Sequence, residues 1–256
     1  MTELMKVLME YHSHIADHAE AVFLVFVRIG AVMATLPAFG ETSIPTRIRL
    51  VLSVMFTAAI FPGVQPDLQA IQLVSGFVPE VVIGLTLGLM VRLFVLSLLT
   101  AGSIAANATT LSQLFPSGAE AQPAISKLLV AAGLALAVTT GFHMRVLDYL
   151  ILGYEMLPAG QWPSVGLLTE WGVAQTARAF SMALMIAMPF VVASLIYNVA
   201  LGVINRAMPQ LMVTFVGAPA LSLGGLTLLA LVVPLALGTW VTVLNNFLAF
   251  PFATNP

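Results

Sequence analysis

The stretch FVPEVVIGLTLGLMVRLFVLSLL, residues 77–99, contains the features that decide the fold class of this chain. It is long enough for one α-helix to cross a lipid bilayer, which takes about 20 apolar residues. Two charged residues, Glu80 and Arg92, interrupt it, although a charge at a lipid-facing helix centre costs about 2.5–3.5 kcal/mol on insertion scales. The stretch therefore predicts a membrane helix whose charged positions face protein or a wet interior.

The whole chain has the composition of an integral membrane protein. Of its 256 residues, 60% are hydrophobic and only 8% are charged, whereas soluble domains carry about 25% charged residues. A soluble cytoplasmic enzyme, a disordered chain and a nucleic-acid binder are excluded, the last because the net charge is −2 and no basic patch exists. The absence of cysteine excludes a disulfide scaffold and a thiolate metal site.

Six hydrophobic blocks can be recognised, and none shows the alternation typical of a β-strand, so we predict an all-α, multi-helix, membrane-associated fold. The third and fifth blocks are long enough to span lipid, whereas the second and fourth are short and fit helices buried against protein. The blocks are Ala21–Phe39, Leu50–Phe61, Phe77–Leu99, Leu128–Phe142, Phe180–Ile204 and Met212–Phe250.

Prolines and glycines predict where the helices end. No charged residue occurs from Ala207 to Pro256, which is enough chain for two passes, with breaks expected at Pro219, Gly224–Gly225 and Pro234. Further prolines punctuate the blocks, among them Pro62 and Pro79, and predict short connectors between the helices. No linker or internal repeat is visible, so we expect a single domain over residues 1–256.

The N-terminal residues 1–20 form the most polar stretch and predict a short amphipathic helix at an interface or on a partner. His14 and His18 stand one helical turn apart, next to His12 and Asp17. This spacing is compatible with a metal on one helix face, but the polar face of an interfacial helix explains it more simply.

Enzyme motifs are missing from the sequence. It contains no His-Glu-x-x-His zinc helix, no Gly-x-Ser-x-Gly nucleophile elbow and no Walker phosphate loop. We therefore expect no catalytic site, no resident metal and no cofactor.

Arg28, Glu80 and Arg92 are charges embedded in hydrophobic blocks. They could form an ion or proton pathway, or they could be paired with other groups for structural reasons. Glu80 follows Pro79, which suggests a position near a helix start, where the helix dipole favours a carboxylate. Gly84 and Gly88 form a Gly-x-x-x-Gly pattern, which predicts close helix packing.

The segment Asn107–Pro123 is small and polar and lies between two hydrophobic blocks. It could be a plain surface loop or a segment that dips into a pore. Its apolar and turn-forming residues are the candidates for a plug, namely Leu111, Leu114, Phe115, Pro116 and Gly118.

A second polar segment separates the two longest blocks. Asn205, Arg206, Pro209 and Gln210 predict a hydrogen-bonding turn, since proline cannot continue the preceding helix. The simplest interpretation is a loop with one arginine that helps to set the membrane topology.

Taken in order, several short motifs resemble the FliR family of the type III protein export apparatus, over nearly the whole chain. The strongest match is Leu201–Leu211, which contains Asn205-Arg206 and Pro209-Gln210. The other matching stretches are Arg28–Gly30, Ile44–Arg49, Pro79–Glu80 with Gly84 and Gly88, Gly141–His143, Leu157–Gly160, and Gly217 with Pro219. The homologous protein of virulence injectisomes shares this pattern.

The resemblance implies a subunit of the type III protein export gate in the bacterial inner membrane, within the flagellar basal body. Members of the family assemble with FliP-like and FliQ-like subunits, and with an FlhB-like subunit nearby, around a conduit for unfolded secreted cargo. They are built from tilted helical hairpins and contribute a plugging loop that closes the gate. The resemblance makes the segment Asn107–Pro123 the expected plug.

A secondary transporter of small solutes is the alternative function for a chain of this composition. It would predict two related halves with broken helices around a midplane site, and the sequence shows no such internal symmetry.

Overall fold

The computed structural model describes residues 2–41, 44–64, 73–109, 123–208 and 213–252. In these ranges the chain forms α-helices and no β-strand, which confirms the predicted all-α class. The helices, numbered along the chain, are α1 (Thr2–Thr35), α2 (Thr46–Val64), α3 (Leu73–Ala108), α4 (Ala124–Thr139), α5 (Phe142–Met156), α6 (Val165–Ala207) and α7 (Val213–Ala249).

Four of the described helices are long and apolar enough to cross a membrane, namely α2, α3, α6 and α7. The pair α4 and α5 passes the same test when taken together, but the two helices meet at 78°. The described residues therefore contain four candidate membrane spans, or five if the bent pair is one span, in agreement with the multi-pass membrane protein predicted from composition.

The predicted break inside the last hydrophobic block is wrong. Residues 213–249 form one helix, and Pro219, Pro234 and Gly224–Gly225 lie within it. An apolar environment offers the backbone no hydrogen-bonding partner outside the helix, so a membrane helix continues through proline that would end a helix in water.

Two other prolines that we predicted to lie in connectors, Pro62 and Pro79, also lie inside helices. Because α3 begins at Leu73, Glu80 is in its second turn rather than at its start. The helix dipole acts within the first turn, so another group must stabilise this carboxylate.

The first helix is continuous from Thr2 to Thr35. The helix predicted over residues 1–20 is therefore not a separate element but the first part of α1. Its amphipathic character stays a prediction, because the structure describes side chains in α1 only from Ala19 onward.

The chain divides into two compact units, each built from separate segments. Unit 1 contains residues 1–92, 142–173 and 246–256, and unit 2 contains residues 93–141 and 174–245. The single domain expected from the sequence stays a prediction.

Unit 1 has a core in which α1 and α3 pack together. Ile29 and Met33 of α1 and Ile83 and Leu87 of α3 are completely buried. The buried Tyr149 of α5 joins this core by donating its hydroxyl hydrogen to the carbonyl of Leu87, at 3.0 Å.

Unit 2 contains a second core around Trp240. The indole of Trp240 is buried and donates its Nε1 hydrogen to the carbonyl of Phe94, at 2.9 Å. Gly133 of α4 lies against Leu98 and this indole, and a Cβ at position 133 would collide with the Leu98 side chain.

Candidate functional site

Unit 1 contains a buried ion pair between two of its helices. Arg28 of α1 and Glu80 of α3 are both fully buried. The Nε of Arg28 donates to Glu80 Oε2 at 2.5 Å, and Nη2 donates to Oε1 at 2.9 Å. This bidentate geometry is the strongest form of an arginine–carboxylate interaction.

The same pair binds the connection between α5 and α6. The guanidinium of Arg28 donates from Nη1 to the carbonyl of Leu157 at 2.9 Å and from Nη2 to that of Pro158 at 3.4 Å. The backbone N–H of Gly160 donates to Glu80 Oε1 at 2.7 Å. Gly160 has a φ of 69°, a conformation that side chains disfavour. The ion pair and this loop therefore form one junction between three segments.

Tyr154 of α5 covers the ion pair. The Arg28 guanidinium carbon lies 3.8 Å from the centre of the Tyr154 ring, which is a cation–π contact. The ring is buried, and within the described part of the chain its hydroxyl has no hydrogen-bonding partner. The aromatic ring thus covers the guanidinium of Arg28.

The geometry favours a structural junction over an ion or proton pathway. Arg28 donates four hydrogen bonds, and Glu80 accepts from both Arg28 and Gly160. A proton relay needs exchangeable groups that lead away from the site. Here the Arg28 guanidinium donates only to the Glu80 carboxylate and to backbone carbonyls. Removing one partner of such a pair would leave an uncompensated buried charge, which costs about 3–5 kcal/mol.

Gly84 and Gly88 allow α3 to approach α1 next to the ion pair. A Cβ at position 84 would collide with the carbonyl of Arg28 and lie 2.7 Å from Ala31 Cβ. A Cβ at position 88 would collide with the Thr35 side chain. Close approach of the two backbones is therefore what brings Arg28 within reach of Glu80.

The third embedded charge, Arg92, does not join the pair. Its Nη1 lies 3.4 Å from the carbonyl of Thr35, the last residue of α1. A cation at the carbonyl end of a helix interacts favourably with the helix dipole. Arg92 thus caps α1 within unit 1.

The predicted turn at residues 205–211 is described only in part. Asn205 and Arg206 are exposed in the last turn of α6, where a basic residue is favourable. Pro209 and Gln210 lie outside the described residues, as do all five plug candidates, Leu111, Leu114, Phe115, Pro116 and Gly118.

No cluster of three or more metal-binding residues occurs among the described side chains. The histidines of the N-terminal stretch, His12, His14 and His18, lie outside that set.

Sequence reasoning missed Tyr154 and the backbone groups of Leu157 and Gly160 as parts of this site. An isolated tyrosine in an apolar stretch is a weak signal, because it is equally common as a core residue. Backbone donors and acceptors have no sequence signal, apart from the positive φ that Gly160 permits.

Comparison with known proteins identifies the family. A family model described as bacterial export proteins, family 1, matches residues 19–247. The chain is 35% identical to the flagellar biosynthetic protein FliR of Caulobacter vibrioides over 216 residues, which cover 81% of this chain and 86% of that protein.

More distant relatives carry the same name. Identity to FliR of Escherichia coli is 29% over 225 residues, covering 83% of this chain and 84% of the relative. Identity to FliR of Bacillus subtilis is 26% over 215 residues, covering 80% and 83%. The chain therefore belongs to the FliR family of bacterial flagellar export proteins.

Proposed function

We propose that this chain is a subunit of the type III export gate. In this proposal it assembles with FliP-like, FliQ-like and FlhB-like subunits to form and close the conduit for unfolded flagellar substrates. The family itself establishes a role in type III export, and with four to five apolar helices it makes the chain a multi-pass inner-membrane protein of the flagellar apparatus. The partners and the conduit are the proposed part.

The exposed apolar length of α6 is the observation that carries the proposal. This helix has 43 residues, which at about 1.5 Å per residue gives roughly 65 Å, whereas the hydrocarbon core of a bilayer is about 30 Å thick. Large apolar side chains are exposed along it from Val165 through Phe180 and Met185 to Val203, each at least 64% accessible. Lipid can cover only part of this surface, so other protein chains are expected to cover the rest.

Helix α7 supports the same conclusion. It has 37 residues, or about 55 Å, and contains no charged residue. Leu223, Leu231 and Leu235 are between 68% and 76% exposed. Apolar surface of this kind on a protein marks a contact with membrane or with partner subunits.

The plug remains part of the proposal, because the segment lies outside the described residues. Its two flanks provide support, since both are anchored in unit 2. Thr109 is buried against Gly225. Ser126 donates to the carbonyl of Leu99 at 3.1 Å and packs against Gly102. A segment between two fixed ends can close a conduit without rearranging the helices that carry it.

Co-expression tests the assembly. A tagged chain is purified from membranes with and without FliP-like and FliQ-like subunits from the same organism, and the mass of the complex is measured in detergent. We expect a stable complex and a poor yield of the chain alone, because α6 and α7 would be uncovered. A monodisperse, stable lone chain that does not bind the other subunits would overturn the gate proposal and favour a transporter.

A further inference from the structure

A groove in unit 1 is formed entirely by α1 and α2, which pack against each other. The groove is open on one side and has a volume of about 720 Å³, within the range of roughly 300–1,000 Å³ that is common for small-molecule sites. Its walls are Ala19, Val22, Phe23 and Phe26 of α1 and Val54, Thr57, Ala58 and Phe61 of α2.

The walls of the groove suit a hydrocarbon chain. The one polar residue, Thr57, donates its hydroxyl hydrogen to the carbonyl of Ser53 within α2, so it offers no donor to a ligand. Phe23 stacks on Phe77 of α3, with ring centres 6.5 Å apart, which extends the apolar wall. A polar ligand would lose its hydration here without replacement, whereas an acyl chain would lose nothing.

The length of α2 places the groove at the depth of lipid acyl chains. The helix has 19 residues, or about 28 Å, which matches the hydrocarbon thickness of about 30 Å. Unlike α6, α2 is therefore no longer than the hydrocarbon layer is thick. Arg47, in its first turn, then lies at the level of the lipid headgroups, where anionic phosphates attract basic residues.

Arg47 lies on the same face of α2 as the groove. It precedes Val54 by seven residues, which is two helical turns or about 10.5 Å along the axis. Val51, between them on this face, is 57% exposed, so the path from Arg47 to the groove is apolar and open. Arg47 is exposed, α2 contains no acidic residue, and in the described ranges no carboxylate pairs with this arginine.

We propose that this groove binds one anionic phospholipid, with an acyl chain between α1 and α2 and the phosphate at Arg47. Charge complementarity selects the headgroup, because a guanidinium binds phosphate oxygens with two parallel hydrogen bonds. The apolar walls of the groove favour the acyl chain of the lipid. The site goes beyond gate assembly and does not depend on the identity of the partner subunits.

Lipid retention tests the site. The full chain, alone or within its complex, is reconstituted in nanodiscs of phosphatidylcholine with a minor fraction of phosphatidylglycerol. It is then extracted in mild detergent, and bound lipid is measured by native mass spectrometry. Ala58→Phe fills the groove, whereas Ala59→Phe adds the same side chain at an exposed position of α2 that does not line it. Arg47→Gln removes the headgroup contact, and Arg145→Gln removes another exposed arginine, from α5.

We expect the parent chain to retain phosphatidylglycerol in preference to phosphatidylcholine. Ala58→Phe should abolish retention, and Arg47→Gln should reduce it about fivefold, the factor that corresponds to ~1 kcal/mol for one basic residue at an anionic surface. Ala59→Phe and Arg145→Gln should retain lipid as the parent does. Equal retention of the two lipids, or full retention by both Ala58→Phe and Arg47→Gln, would overturn the proposal.

A photo-crosslinking amino acid at position 58, in the assembled complex in native membranes, distinguishes lipid from a protein occupant. A lipid adduct of the chain supports the site. An adduct to another protein chain would show that a partner helix fills the groove, and would overturn the proposal even if Ala58→Phe had failed to fold.

Discussion

Arg28 and Glu80 are 52 positions apart in the chain, yet their side chains form a bidentate ion pair with no exposed atom. The pair joins α1 to α3, and its remaining hydrogen bonds bind the loop from Leu157 to Gly160. Loss of this junction would remove the hydrogen bonds that join α1, α3 and this loop in unit 1.

The ion pair predicts that substitutions of Arg28 and Glu80 are not additive in a double-mutant cycle. Arg28→Leu or Glu80→Leu alone should lower the free energy of unfolding by about 3–5 kcal/mol, because each leaves a buried charge without a partner. The double variant should cost less than the sum of the two, since no unpaired charge remains. Denaturant titration of the purified chain in detergent measures all three. Arg145→Leu, at an exposed position, should change stability by less than about 0.5 kcal/mol.

Exchange of the two charges sharpens this test. The Arg28→Glu, Glu80→Arg variant keeps an ion pair but should not recover stability. The carboxylate at position 28 would face the carbonyls of Leu157 and Pro158, and Gly160 would lose its acceptor. Full recovery would show that the loop contacts contribute nothing.

Close packing at Gly84 predicts that a methyl group is not tolerated there. Gly84→Ala should lower the free energy of unfolding by about 1–3 kcal/mol, because the new Cβ would collide with the Arg28 carbonyl. Gly30→Ala is the matched control, since a Cβ at position 30 meets nothing within 4 Å. It should be neutral or stabilising by up to about 1 kcal/mol. Similar losses in both variants would contradict the packing explanation.

The buried hydrogen bond of the Trp240 indole predicts that its removal lowers the stability of unit 2. Trp240→Phe removes the hydrogen bond to the Phe94 carbonyl and should cost about 1–3 kcal/mol. Trp162→Phe, at a residue that is 66% exposed, should change stability by less than about 0.5 kcal/mol. Thermal unfolding followed by circular dichroism compares the two variants with the parent chain. Equal unfolding midpoints for Trp240→Phe and Trp162→Phe would contradict this prediction.

The end of α6 predicts a separation of folding from assembly. Arg206 is exposed, so Arg206→Ala should leave the unfolding of the lone chain unchanged within about 0.5 kcal/mol. If this turn contacts partner subunits, the same variant should lower the yield of the co-purified complex and reduce motility. Normal assembly and motility would leave Arg206 with a topological role only.

The proposed plug predicts a leak. Deletion of Leu114–Gly118 should leave the complex assembled, because Thr109 and Ser126 anchor the flanks, but should make the membrane permeable to ions and small solutes. Growth inhibition and dye uptake in cells that express the assembled variant provide the measurement. A deletion that assembles and stays as tight as the parent would remove the plug from this segment.

The fold class and the family were determined by the sequence alone. The transfer of so many apolar side chains out of water is the largest contribution to the free energy of folding. A chain with 60% hydrophobic and only 8% charged residues therefore has few possible structures besides membrane helices. The order and spacing of short motifs, above all Asn205-Arg206 and Pro209-Gln210, identified the family.

The helix boundaries were decided by the environment rather than by local signals. Pro62, Pro79, Pro219 and Pro234 all lie within helices. A proline rule that holds in water fails in a membrane, where the chain has no solvent to satisfy a broken helix.

Which charges meet was decided only by the tertiary structure. The sequence showed that Arg28, Glu80 and Arg92 are embedded in apolar blocks, and it left both a structural pairing and a pathway open. Arg28 reaches Glu80 because Gly84 lets α3 approach α1 at that level, whereas Arg92 lies beside the end of α1 at Thr35. Helix register and backbone separation determine such contacts, and both arise from packing between segments that are distant in sequence.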